Sequence, residues 1–249
     1  MESTILLSDS FSDDSLDPAV RGWLHTPHVP NGDALILTHG AGSDCTAPLL
    51  VALGETFAGH GYVVLRCDLP FRQERRTGPP FPGNAHRDRA GLRNAVAVLR
   101  KKVAGRIFLG GHSYGGRQAT ILCAAEPEPV KPESVNLELV KPELVTPAPG
   151  KSDLVSGLLL LSYPLHPPRK PEQLRVQHLP NLRTPSLFVH GTRDPFGSVE
   201  EITKALQLIP AKTELMKVEG AGHDLGFKGK ARASHLPASI VARFEEVFS

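Results

Sequence analysis

Apolar runs alternating with amphipathic stretches over most of the chain predict an α/β fold, with a mostly parallel central sheet and helices on both faces. Three observations carry this. Runs such as Leu35-Ile36-Leu37-Thr38, Ile107-Phe108-Leu109 and Leu187-Phe188-Val189 are apolar in the manner of buried strands. Residues at helical spacing lie between them: Leu92, Ala95, Val96 and Leu99 before one run, and Ile202, Ala205, Leu206 and Ile209 before another. A chain of 249 residues can bury one large core without a second domain.

In chain order, an edge strand is expected near residues 5–7, followed by strands at 20–25 and 33–38. A helix at 49–59 leads into a strand at 62–66, and the helical spacing at 92–99 leads into the strand that begins at Ile107. A helix from about Tyr114, strands at 157–161 and 186–190, a helix at 202–209, a strand at 215–218 and an amphipathic helix with Ile240, Phe244 and Val247 complete the series. Residues 126–152 break the rhythm, with prolines at 127, 129, 132, 142, 147 and 149 and Val-Lys-Pro-Glu repeated at Val130 and Val140. Neither a helix nor a central strand continues through such a segment, so it reads as a surface insertion in a single domain spanning 1–249.

One pentapeptide carries chemistry. Gly111-His112-Ser113-Tyr114-Gly115 matches G-x-S-x-G, directly after the strand run at 107–109 and before a helical stretch. A serine is a poor nucleophile until a base removes its proton, so the hydroxyl must be held out of the backbone on a sharp strand-to-helix turn. The glycines leave room for that turn, and the start of the helix points free N–H groups toward developing negative charge. Ser113 is the candidate nucleophile. His112 is expected to be packed or hydrogen-bonded inside the sheet.

An acid and then a histidine should follow, each in a loop after a later strand. Gly191-Thr192-Arg193-Asp194-Pro195 supplies Asp194, with capping of the helix after Pro195 as its other reading. Glu219-Gly220-Ala221-Gly222-His223-Asp224 supplies His223 between small residues, where a loop can carry the ring to the serine; a solvated loop histidine is the alternative. Asp224 is too near His223 in sequence to orient that ring. An oxyanion cradle needs one N–H after the nucleophile and another from the loop after an earlier strand. Tyr114 and Ala41 are the candidates, with Gly42 replacing Ala41 if His39-Gly40-Ala41-Gly42-Ser43-Asp44 is shifted by one.

These motifs resemble the α/β-hydrolase superfamily on its small dienelactone-hydrolase-like side. More narrowly, His39-Gly40-Ala41-Gly42, Gly111-His112-Ser113-Tyr114-Gly115-Gly116-Arg117, Tyr163-Pro164-Leu165-His166 and His190-Gly191-Thr192-Arg193-Asp194-Pro195-Phe196-Gly197 are similar to bacterial relatives of testis-expressed hydrolase-like proteins and of a hydrolase-like subunit of a chromatin acetyltransferase complex. The resemblance implies the α/β-hydrolase fold. Residues 166–185, where many relatives carry a lid domain, are short and proline-rich, so little or no lid is expected. True dienelactone hydrolases use a cysteine where this elbow holds Ser113, so their specific activity does not carry over.

Composition narrows the rest. A net charge of +2, from 28 basic and 26 acidic residues, gives no basis for nucleic-acid binding. Residues 1–17 lack the basic start and apolar run of a signal peptide, and no stretch approaches a membrane span, so a cytoplasmic protein acting away from membranes is expected. Cys45, Cys67 and Cys123 have no metal-ligand spacing and read as reduced thiols, Cys45 as a packing residue. Arg72, Arg75 and Arg76 follow a strand at the ligand-binding edge, where they either attract a carboxylate or form a solvated charge run. The expected function is that of an esterase-type serine hydrolase acting on a small ester through an acyl-enzyme, needing no cofactor or metal. The other reading is a catalytically silent, hydrolase-shaped interaction protein. A protein partner or homo-oligomer is left open.

Overall fold

The computed structural model describes residues 7–124, 154–227 and 235–249. One eight-stranded sheet comprises β1 (Leu7–Asp13), β2 (Val20–Thr26), β3 (Ala34–Thr38), β4 (Val63–Cys67), β5 (Ile107–His112), β6 (Gly157–Leu161), β7 (Ser186–Gly191) and β8 (Thr213–Val218), in the order β1-β2-β4-β3-β5-β6-β7-β8. β2 runs antiparallel to both β1 and β4, and the remaining pairs are parallel. Every residue of β3 and β6 is buried, because helices cover both faces there.

The helices are α1 (Pro48–Gly59), α2 (Pro70–Glu74), α3 (Ala85–Arg100), α4 (Tyr114–Ala124), α5 (Val199–Leu206) and α6 (Leu236–Phe248). On one face, Leu50, Leu53 and Phe57 of α1 and Phe244 of α6 pack with Phe108 of β5; the Phe57 and Phe244 rings meet edge-on at 5.0 Å. On the other, Leu92 and Leu99 of α3, Ala119 and Leu122 of α4 and Ile202 of α5 pack with Leu109 and Leu160. Each fully buried Leu or Phe contributes about 1.5–3 kcal/mol, so the two layers hold the strand ends rigid beneath the loops. The order of strands reverses between β3 and β5, and their carboxyl ends therefore open a crevice where loops can converge on a ligand.

The first strand is described from Leu7 to Asp13, so it extends well past the expected 5–7, of which residues 5 and 6 lie outside the described residues with the rest of 1–6. β1 pairs with β2 at an exposed edge, so Ser8, Ser10 and Ser12 need no apolar pattern and periodicity is silent there. The five-residue helix α2 also stands where a plain loop is expected. The expected insertion at 126–152 lies outside the described residues. Between β6 and β7, residues 166–185 form turns and one 3₁₀ turn, Leu179–Asn181, rather than a lid.

Candidate active site

β5 ends at His112, α4 begins at Tyr114, and Ser113 between them has φ 52°, left-handed backbone that only a tightly constrained turn imposes on a serine. The glycines allow that turn. A Cβ at Gly111 would lie 2.6 Å from the Gly116 nitrogen, and one at Gly115 would lie 2.6 Å from the His39 carbonyl oxygen. The Ser113 N–H donates to the Leu161 carbonyl at 2.8 Å and its carbonyl accepts from the Arg117 N–H at 3.0 Å, which anchors the elbow on both sides.

The three residues expected from the sequence meet above this turn. The Ser113 hydroxyl lies 2.8 Å from His223 Nε2, and His223 Nδ1 lies 2.8 Å from Asp194 Oδ2. A proton donated from Nδ1 to the carboxylate leaves the Nε2 lone pair facing the serine. The Asp194 side chain is fully buried and its Oδ1 accepts the Phe196 N–H at 2.9 Å. Ser198 caps α5, in a capping box with Glu201, so the helix-capping alternative for Asp194 is excluded. The Phe196 ring stacks on the His223 ring at 4.1 Å. His112 donates from Nε2 to the His223 carbonyl at 2.7 Å, and burial lowers its pKa to about 4. It therefore braces the histidine loop, and its hydrogen bond goes to that loop rather than within the sheet. The two loops are also joined directly, through Arg193 N–H to the Ala221 carbonyl at 2.9 Å and Thr192 N–H to the Val218 carbonyl at 3.1 Å.

Ala41 and Tyr114 line the same cavity as Ser113. Tyr114 is the first residue of α4, so its N–H has no carbonyl one turn earlier to bond. The Gly40 carbonyl accepts from His39 Nδ1 at 2.9 Å and from the Ser43 N–H at 3.2 Å. In a trans peptide the following N–H points the opposite way, so these bonds fix the direction of the Ala41 N–H. The Leu69 N–H donates to His39 Nε2 at 3.1 Å, and burial keeps the ring in its neutral form.

Arg72 completes this loop. It is only 6% exposed, and its guanidinium donates to the carbonyls of Ser43 and Ala41 at 2.9 Å and of Arg75 and Gly78 at 3.1 Å. Neither sequence reading of Arg72 holds: with its donors on backbone carbonyls it is not solvated, and it does not reach for a ligand. Arg75 covers the Phe81 ring at 4.1 Å, and Arg76 is exposed.

A second buried support has no signature in the sequence. Asp88 of α3 is fully buried, accepts the Tyr114 hydroxyl at 2.7 Å and the Phe71 N–H at 3.0 Å, and has its pKa raised by burial. Within Ala85-His86-Arg87-Asp88-Arg89 it looks like one more surface charge. Cys45 and Cys67 are buried and free, and burial pushes both thiols upward, away from the reactive thiolate. Among the described residues, no group of three or more His, Cys, Asp or Glu could hold a metal ion, and no helix is long and apolar enough to cross a membrane.

The cavity beside Ser113 measures about 600 Å³. Leu49, Leu50 and Phe227 form an apolar wall on the α1 side, and Tyr114, Arg117 and Arg175 line the α4 side. A strand-to-helix elbow at the centre of this sheet, with an acid loop and a histidine loop over it, defines an α/β-hydrolase site.

A sequence model of the family described as alpha/beta hydrolase domain matches residues 31–244, and the chain belongs to that family. Among solved structures, it is similar to a dienelactone hydrolase from Anabaena variabilis, at 18% identity with TM-score 0.69, covering 98% of this chain and 99% of the other. An α/β serine hydrolase homologue from Coxiella burnetii matches at 14% identity and TM-score 0.65, covering 97% and 99%. A lidless α/β serine hydrolase from Xanthomonas campestris matches at 12% identity and TM-score 0.66, covering 98% and 97%. At these identities the likeness concerns the fold, and its near-complete coverage agrees with a hydrolase core without a lid domain.

Proposed function

We propose that this α/β-hydrolase is a serine hydrolase of esterase type that works through an acyl-enzyme. Ser113 attacks the ester carbonyl as His223 Nε2 takes its proton, and Asp194 orients the ring and stabilises the imidazolium that forms. The Ala41 and Tyr114 N–H groups receive the oxyanion. His223 then protonates the departing alcohol, and a water activated by the same nitrogen releases the acid and restores the serine.

The observation that carries this reading is the continuous line from Asp194 Oδ2 through His223 to Ser113 Oγ, with 2.8 Å at each junction. A chain retaining only the shape of a hydrolase has no need of that alignment. The test is labelling with a fluorophosphonate, followed by peptide mapping and turnover of 4-nitrophenyl esters. Modification of Ser113 that disappears in His223→Ala, together with ester turnover, is expected. Folded protein that takes no label would instead favour a silent interaction protein.

A further inference from the structure

Arg117 and Arg175 line the cavity beside Ser113, and neither forms an ion pair among the described residues. Arg117 is half-buried on the second turn of α4. Its Nε is sealed from solvent and has no acceptor among the described residues. Arg175 is held by its backbone, with its N–H donating to the Leu165 carbonyl at 2.8 Å and its carbonyl accepting the Tyr163 hydroxyl at 3.1 Å. Its guanidinium reaches the Pro164 carbonyl alone among the described residues, at 3.4 Å.

Among the described residues, no hydrogen bond or ion pair joins Arg117 or Arg175 to a carboxylate. Arg117 acts electrostatically on Tyr114, Tyr163, His178 and Arg175, none of them an anion near pH 7. Burial first, and then Arg117, lowers the His178 pKa to about 4, so that ring is neutral near pH 7. Burial also lowers the Arg175 pKa, with Arg117 adding to the effect. Asp224, a carboxylate that lines the cavity, accepts the Gly226 N–H at 3.3 Å and belongs to the loop that carries Leu225 into the α1 and α6 layer. A half-buried cation with an unused donor is costly unless an anion completes it, and a guanidinium fork matches a carboxylate.

We propose that Arg117 and Arg175 form a carboxylate-binding subsite, which makes an anionic ester the preferred substrate of the esterase reading on which this rests. The carboxylate would occupy the α4 wall, and the apolar remainder of the substrate would face Leu49, Leu50 and Phe227.

Two measurements test it. In the first, glutarate and adipate are titrated by calorimetry into Ser113→Ala protein, with and without Arg117→Gln and Arg175→Gln. Removing both arginines is expected to weaken binding about tenfold or more, and Arg117→Lys with Arg175→Lys should recover part of it. In the second, kcat/KM for 4-nitrophenyl hydrogen succinate, glutarate and adipate is divided by that for neutral esters of equal chain length. The ratio is expected to fall about tenfold or more when both arginines become Gln. Dicarboxylates that fail to bind, binding indifferent to both arginines, or an unchanged ratio would overturn the subsite. The binding arm needs no turnover, so absence of fluorophosphonate labelling would defeat the esterase reading while leaving this inference separately testable.

Discussion

The two sides of Ser113 are built by different means. On the Asp194 and His223 side, side chains contact one another in a line, and their loops join through backbone bonds between residues 192–193 and 218–221. On the Ala41 and Tyr114 side, the proposed oxyanion donors are backbone, and buried side chains from elsewhere hold the segments that carry them: Arg72 on loop carbonyls, His39 on Gly40, Asp88 on the Tyr114 hydroxyl. The first side should therefore be sensitive in activity and tolerant in stability. The second should show the opposite balance, because removing one support strands polar groups that cannot reach water.

The sharpest separation comes from Ser113→Ala, expected to lower kcat on a 4-nitrophenyl ester about 10⁵–10⁶-fold with an unchanged circular dichroism spectrum. Asp194→Asn should follow, with kcat down roughly 10³–10⁴-fold because the ring is no longer held in the required tautomer. Steady-state kinetics check both, and loss of folding in either would break the contrast. Arg72→Met tests the other side. Urea unfolding should show a loss of about 2–4 kcal/mol, and kcat should fall only about 10–100-fold as the loop loosens.

Smaller still is Tyr114→Phe, which leaves Asp88 Oδ2 without its phenol donor and should cost about 1–3 kcal/mol at pH 7. Burial already raises the Asp88 pKa, and removing the donor raises it further. The native carboxyl then binds its proton more readily than the unfolded one, so the penalty should shrink as pH falls and the group becomes neutral. Parallel urea melts at pH 7 and pH 5 read this out.

Last is a pH slope that is absent near pH 7 and develops only on acidification. His25 accepts the Arg66 Nε–H at 2.7 Å, and burial lowers its pKa from 6.5 to about 4, as it does for His112. The unfolded chain binds these protons first, so stability is full above about pH 6.5 and declines as pH drops toward 4. His112→Asn, which retains a donor for the His223 carbonyl, should flatten the Tm profile over that interval. An unchanged slope would remove His112 from the account.

Legibility followed the same division. The strands β3, β5, β6 and β7 and the elbow could be read because burial on both faces leaves apolar runs and a sharp turn leaves glycines. The length of β1 was not readable, because an exposed edge demands no apolar pattern beyond Leu7, and the strand runs on to Asp13. Ser113, Asp194 and His223 were readable from loop order, since each must follow a particular strand. Asp88 was not, because a carboxylate buried by tertiary packing has the same letter as one on a surface. The arginines show the limit most plainly. Clustering drew attention to Arg72, which lies among carbonyls, whereas isolated Arg117 and Arg175 face the cavity.

What the sequence determined alone was the succession of strands and helices, the elbow at Ser113 and the loops bearing Asp194 and His223. These follow from local periodicity, backbone sterics and chain order. Only the tertiary structure decided which charges are neutralised, which histidines act as braces and which donors remain unused. Those properties depend on the dielectric and the partners that distant segments supply once they pack together.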